Sequence, residues 1–87
     1  MAHMMIRHKV IDYKTWKKFY DEHLPARKKA TLKEEYLFRN TEELNEVIIL
    51  FQVKDLKKAK AFAESDDLHE TMQKAGVMDL PDVYFLK

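Results

Sequence analysis

Five consecutive apolar residues, Val47-Ile-Ile-Leu-Phe51, constrain the fold of this chain more than any other feature. A strand with one wet face alternates apolar and polar side chains. An unbroken β-branched and aromatic run is expected where both faces are covered. The chain has 87 residues, enough for one domain, and its helical stretches can cover one face of a small sheet. Something else must cover the other face, and a second copy of the protein is the simplest candidate.

Charge and composition narrow the function classes. Sixteen basic and fifteen acidic residues, interspersed, leave a net charge of +1. That argues against a nucleic-acid or anionic-membrane surface, where a concentrated basic field supplies the affinity. The chain has no cysteine, which excludes a disulfide framework, a thiol nucleophile and a thiolate metal site. No apolar run approaches the ~20 residues of a membrane span and no signal-peptide pattern is visible, so a cytoplasmic protein is expected. The opening Met1-Ala-His reads as an expression scar, residues 1–3, which leaves 4–87 as the single domain.

The order of elements follows from periodicity. Met4 to Val10 alternates as a strand. Asp12 offers an N-cap to a helical stretch from Tyr13 to Ala30, whose apolar side carries Trp16, Phe19, Tyr20, His23, Ala26, Arg27 and Ala30. Pro25 cannot donate to the carbonyl of Asp21, so a kink or two short helical segments are expected there. Lys33 to Asn40 reads as a second strand, Thr41 to Asn45 as a hairpin connector, and Glu46 to Val53 as the buried strand. Asp55 caps a further helix, which Ser65-Asp66-Asp67 interrupts; Glu70 follows Asp67 at the spacing of a capping box. Gly76 sits where a helix terminus needs a positive φ, and Val83 to Leu86 reads as the last strand.

This β-α-β-β-α-β order, with right-handed crossovers, makes an α+β fold: a four-stranded antiparallel sheet with the helices on one side. Simple alternation assigns Ile6, His8, Val10, Tyr36, Phe38, Val47, Ile49, Phe51, Val83 and Phe85 to the helix-facing side. The bare side then carries Met5, Arg7, Lys9, Leu37, Arg39, Ile48, Leu50, Gln52, Tyr84 and Leu86. Its apolar members form a patch larger than a soluble monomer normally exposes, so a homodimer is expected through Met5, Leu37, Arg39, Ile48, Leu50, Tyr84 and Leu86.

These residues resemble a known family. The stretches His8-Lys-Val-Ile-Asp-Tyr-Lys-Thr-Trp16, Phe19-Tyr-Asp-Glu-His23 with Arg27, Tyr36-Leu-Phe-Arg-Asn40, Asn45-Glu-Val-Ile-Ile-Leu-Phe51, Asp55-Leu-Lys-Lys-Ala59 and Val83-Tyr-Phe-Leu86 are similar to the dimeric α+β barrel superfamily. Within it the chain most resembles small proteins of the antibiotic-biosynthesis-monooxygenase and cyclase-like group. The resemblance implies ferredoxin-like subunits paired face to face through their sheets. It also implies a pocket in each subunit, between sheet and helices, for an aromatic or otherwise apolar small molecule. Oxygenases of that group are understood to work without metal or flavin, because the substrate's own anion reacts with O₂, so no cofactor is expected. Haem-degrading relatives use an Asn, Trp and His constellation. Here the first strand has no Asn and the only Trp is on the first helix, which speaks against haem degradation.

Four polar residues are the catalytic candidates. His8 lies between Ile6 and Val10 on the core face, and His23 lies beside Trp16, Phe19 and Tyr20 on the helix, so both imidazoles project into one layer. A neutral imidazole can take a proton from an acidic phenol or enol, and Arg27 or Tyr36 can stabilise the oxyanion. The alternative for His8 is a core histidine bonded to a backbone or tyrosine partner, and His23 is open to a structural role as well. Trp16, Phe19, Tyr20, Phe38, Phe51 and Phe85 would line the pocket or serve as plain core. Two histidines without a third ligand make a metal site unexpected.

Two functions remain. One is a cofactor-independent monooxygenase or cyclase/isomerase acting on an enolisable aromatic or polyketide-like substrate. The other is a non-catalytic module that binds or senses such a ligand. An RNA-binding module of the same element order needs exposed aromatics and Gly on its third strand, and Val47 to Val53 has no Gly and a single aromatic.

Overall fold

Helices begin where the sequence puts an oxygen-bearing side chain ahead of an amphipathic run. Asp12 accepts from the Thr15 amide at 3.0 Å, Asp55 from the Lys58 amide at 3.2 Å, and Ser65 from the Leu68 amide at 3.2 Å. The computed structural model describes residues 2–87. Its elements are β1 (Ala2–Lys9), α1 (Tyr13–Glu22), α2 (Leu24–Lys29), β2 (Leu32–Arg39), β3 (Glu46–Val53), α3 (Leu56–Ala63), α4 (Asp66–Ala75) and β4 (Asp82–Leu86). The strands form one antiparallel sheet in the order β2-β3-β1-β4, with β1 and β3 central. Ala2 and His3 extend β1 beyond the expected start at Met4, pairing with Val53 and Gln52.

The helical stretch after β1 breaks in two at His23, as Pro25 demands. Pro25 occupies the first turn of α2, and the amides of Ala26 and Arg27 turn back to the His23 carbonyl. The second helical stretch also breaks, but its cap differs from the expected one. Ser65 closes the turn, and Asp67 falls inside the first turn of α4 instead of capping it.

One layer of helices covers one face of the sheet. The core joins Met4, Ile6 and Val10 of the first strand region to Val47, Ile49, Phe51 and Val53 of β3, under Trp16, Ala59 and Ala75 of the helices. β3 alternates strictly between buried and half-buried residues, so its uninterrupted apolar sequence resolves into a core face and a second, open face.

β2 departs from simple alternation. Glu34 pairs with Phe51 and Tyr36 with Leu50, so two steps on β2 match one on β3 and Glu35 is bulged out. Every side chain beyond the bulge is thereby turned over relative to the strict alternation. Tyr36 and Phe38, expected under the helices, stand on the open face beside Leu50 and Ile48, 52% and 53% exposed and stacked at 5.5 Å. Leu37 and Arg39, expected on the open face, point the other way. Leu37 packs against the core, and the Arg39 guanidinium lies 3.8 Å above the Tyr13 ring. The other proposed members of that surface, Met5, Ile48, Leu50, Tyr84 and Leu86, share the open face.

Gly76 ends α4 at φ +83°, where a Cβ would meet only Ile11, at an ordinary 3.6 Å. Its replacement by alanine should therefore cost the backbone strain alone, about 1–2 kcal/mol. Equilibrium urea unfolding of Gly76→Ala checks this, with an unchanged slope expected beside the lowered midpoint.

Candidate functional site

The two helix breaks shape a cavity between sheet and helices. Its floor is Ile6, His8, Ile49 and Phe51 of the central strands. Trp16 and Tyr20 of α1 make one wall, His23 and Arg27 follow at the break and on α2, and Phe62, Leu68, Thr71, Met72 and Ala75 of α3 and α4 complete it. The space it leaves for a water-sized occupant is about 40 Å³. That holds water-sized occupants, since one water needs only ~10–15 Å³ by this measure.

His8 is the polar centre of the floor. It is 2% exposed, and neither ring nitrogen has a hydrogen-bond partner among the described residues. Trp16 meets the ring edge-on at 5.5 Å. Burial pushes the imidazole down to about 4, with Asp79 opposing the shift and Arg7 adding to it. The ring is therefore neutral at physiological pH and keeps one donor and one acceptor unused. An unpartnered buried polar group costs ~1–3 kcal/mol, so this arrangement is one that folding alone does not favour.

His23 sits where α1 ends and α2 begins, held from outside. Its Nε2 lies 2.7 Å from Oδ2 of Asp67 in the first turn of α4, and its ring is tilted against Phe62 at 5.7 Å. Among the described residues this is the single side-chain hydrogen bond from the α1–His23–α2 segment to α3 or α4, and it ties the two helical pairs across the cavity wall.

Arg27 is 7% exposed, and its guanidinium carbon lies over the Tyr20 ring, 3.7 Å from the centroid. One guanidinium N–H donates to the Tyr20 carbonyl, which at the helix break also accepts from the His23 amide at 3.2 Å. Burial lowers the guanidinium's pKa, while Tyr20, Glu34 and Asp21 act against it; arginine stays cationic under all ordinary conditions. Burial also raises the Tyr20 phenol, assisted by its 2.7 Å bond to Glu34, to which it donates.

Of the residues singled out from sequence, His8, His23, Arg27, Trp16, Tyr20 and Phe51 meet at this cavity. Tyr36 and Phe38 do not, because the bulge at Glu35 carries them to the opposite face. Phe19 lies outside, over a shallow depression with Glu22 and Lys74, and Phe85 packs at the core's edge under Lys60. Sequence reasoning did not place Phe62, Leu68 or Met72 here, although their helical spacing put them on an apolar stripe. Asp67 and Thr71 carried no local signal, since their relation to the cavity is purely tertiary. No three His, Asp or Glu side chains converge as a metal site among the described residues, and no helix among them is long and apolar enough to cross a membrane.

The sign of the His8 shift sets a pH dependence. Its folded value, about 4, lies below the unfolded 6.5, so the unfolded chain binds a proton first. Stability should fall by about 3 kcal/mol as pH drops from 6.5 to 4. Denaturant unfolding across that window tests this, and His8→Leu is expected to flatten the slope.

The sequence matches no family model and no curated protein. Solved structures do match it. One is a Bordetella bronchiseptica protein described as an antibiotic biosynthesis monooxygenase, at TM-score 0.77 and 13% identity, covering 99% of this chain and 94% of that one. Another is a variant of SnoaB, a cofactor-independent oxygenase from Streptomyces nogalater, at TM-score 0.71 and 8% identity, covering 99% and 90%. A third is an uncharacterised NIPSNAP domain protein from Burkholderia xenovorans, at 0.68 and 16%, covering 100% and 93%. The chain thus has the ferredoxin-like fold of antibiotic-biosynthesis-monooxygenase-like proteins.

Proposed function

We propose that the chain is a small-molecule enzyme of the cofactor-independent monooxygenase or cyclase type, acting on an enolisable aromatic or polyketide-like substrate between sheet and helices. The observation that carries this reading is His8: a buried neutral imidazole with two unbonded nitrogens, facing a cavity that is otherwise largely apolar. Native proteins rarely leave such groups unpaired, and a ligand oxygen resolves the deficit.

The roles divide by environment. With Nε2 engaged by the Asp67 carboxylate, His23 keeps Nδ1 for the proton of an acidic CH or OH, which makes it the general base. His8, with its conjugate acid near 4, is a weak base and serves as the hydrogen-bonding anchor. Arg27 faces the resulting oxyanion. In the oxygenase form of the reaction, an activated methylene passes to a carbonyl: one atom of O₂ enters the product and the other leaves as water with the two hydrogens.

An aromatic ring needs more room than 40 Å³, since cavities that take up benzene measure ~150 Å³. Met72 and Leu68 on α4 are the side chains that must yield, and methionine is well suited to repacking. The second reading is a binding or sensing module that holds such a ligand without turning it over.

The open face of the sheet belongs to the same proposal. Tyr36, Phe38, Tyr84 and Leu86 stand out from it around Met5, Ile48 and Leu50. We assign this face to a homodimer, the two sheets packed against each other, with the helical side of each subunit left to enclose its guest.

O₂ uptake over a panel of quinols and anthrones tests the chemistry, the anthrones carrying the activated methylene. His23→Ala is expected to lower kcat/KM by about 10²–10⁴. Ligand binding by wild type without O₂ uptake or product would leave only the binding module. Sedimentation at micromolar concentration tests the assembly: wild type should run as a dimer, and Tyr36→Glu with Phe38→Glu as a monomer.

A further inference from the structure

The chain has three arginines, and their surroundings differ sharply. Arg7, on the open face, has Glu46 at 2.7 Å, Asp82 at 3.1 Å and Asp79 at 3.3 Å. Arg39 is exposed, donates to the Leu44 carbonyl and lies over Tyr13. Arg27 is the most buried of the three, yet among the described residues no carboxylate lies within ion-pair distance of it. The acids that act on it from further away are already engaged: Glu34 accepts from Tyr20 and Asp21 pairs with Lys17.

A cation taken out of water is costly unless it is paired, and a guanidinium's forked donors match a carboxylate in plane and spacing. A single backbone carbonyl and an aromatic face leave most of that capacity unused. The same cavity holds the second deficit, the His8 ring with no partner for either nitrogen. One site therefore lacks both an anion and a neutral oxygen function.

We propose that this cavity takes a small organic acid, its carboxylate seated on Arg27 and a hydroxyl or carbonyl oxygen against His8. The inference rests on the cavity being a small-molecule site, and it names the class of molecule: an acid, not a neutral quinol. Trp16 and Phe51 supply the apolar walls for the rest of the ligand.

The test compares salicylate with salicylamide, of nearly the same shape but without the charge, in NMR titrations of the wild-type chain near neutral pH. The readouts are the Trp16 indole N–H, which is unique in the chain, and the ring nitrogens of His8. Salicylate should bind at least tenfold more tightly and move both sets of resonances. Arg27→Gln should bring the two affinities within twofold of each other, and Arg27→Lys should retain part of the preference. Equal wild-type affinities, or no binding of either compound, would overturn the proposal. So would an unchanged preference in a folded Arg27→Gln, or salicylate binding that leaves Trp16 and His8 unmoved. If Arg27→Gln does not fold, the wild-type comparison decides alone. Because binding is read without O₂, an acid that binds without being oxidised leaves this inference standing while the oxygenase reading falls. Oxidation of neutral quinols with no preference for the acid gives the reverse.

Discussion

A sheet that can be roofed on one side only is the condition from which the rest of this structure follows. Four short helices lie over the face formed by Ile6, His8, Ile49 and Phe51, and none remains for the face of Met5, Ile48 and Leu50. The central strand β3 is nonetheless apolar on both sides. For a chain of this size the folding free energy is a small difference between large terms, and a wet patch of that extent is comparable to it. The covered side is thus the place where an interior site can be built, and the uncovered side is where the proposed homodimer would form.

The covered side owes its cavity to interrupted helices. A continuous rod from Tyr13 to Lys29 would place its residues in one regular ridge. Pro25 instead ends α1 at Glu22 and sets His23 at the corner, where the Tyr20 carbonyl is shared between the His23 amide and the Arg27 guanidinium. The Ser65 cap restarts the other helical pair so that Asp67 reaches His23. Two local stop signals thereby bring the His23 imidazole and the Arg27 guanidinium to the cavity that holds His8, with Asp67 bonded to His23 from the outer side. The polar groups are fixed by backbone geometry at helix ends, where orphan donors and acceptors are available.

Much of this was legible in the order of residues. Helix caps at Asp12 and Asp55, the break before Pro25 and the positive φ at Gly76 are local effects, and local sequence carries them. The antiparallel sheet with a central β3 follows from connection rules and from the two apolar faces of that strand. The face of Tyr36 and Phe38 was not legible. Glu35 is an ordinary strand residue with no glycine or proline beside it, so nothing in its neighbourhood marks a bulge. The contact of His23 with Asp67 was equally hidden, since 44 positions separate them and only the packing of α4 over α1 brings them together. The conversion of Leu37 from surface to core has the same origin as the exposure of Phe38.

The bulge has one more consequence, for the tolerance of the sheet to changes in length. Glu34 and Tyr36 already face consecutive partners on β3, Phe51 and Leu50. Excision of Glu35 would join two segments that are each in register, and no neighbour would have to change sides. Loss of any other internal residue of β2 would slide part of the strand by one step and exchange inward for outward side chains. Within this strand, Glu35 is the position where natural shortening of the chain meets the least resistance, at the expense of its bond from Gln52.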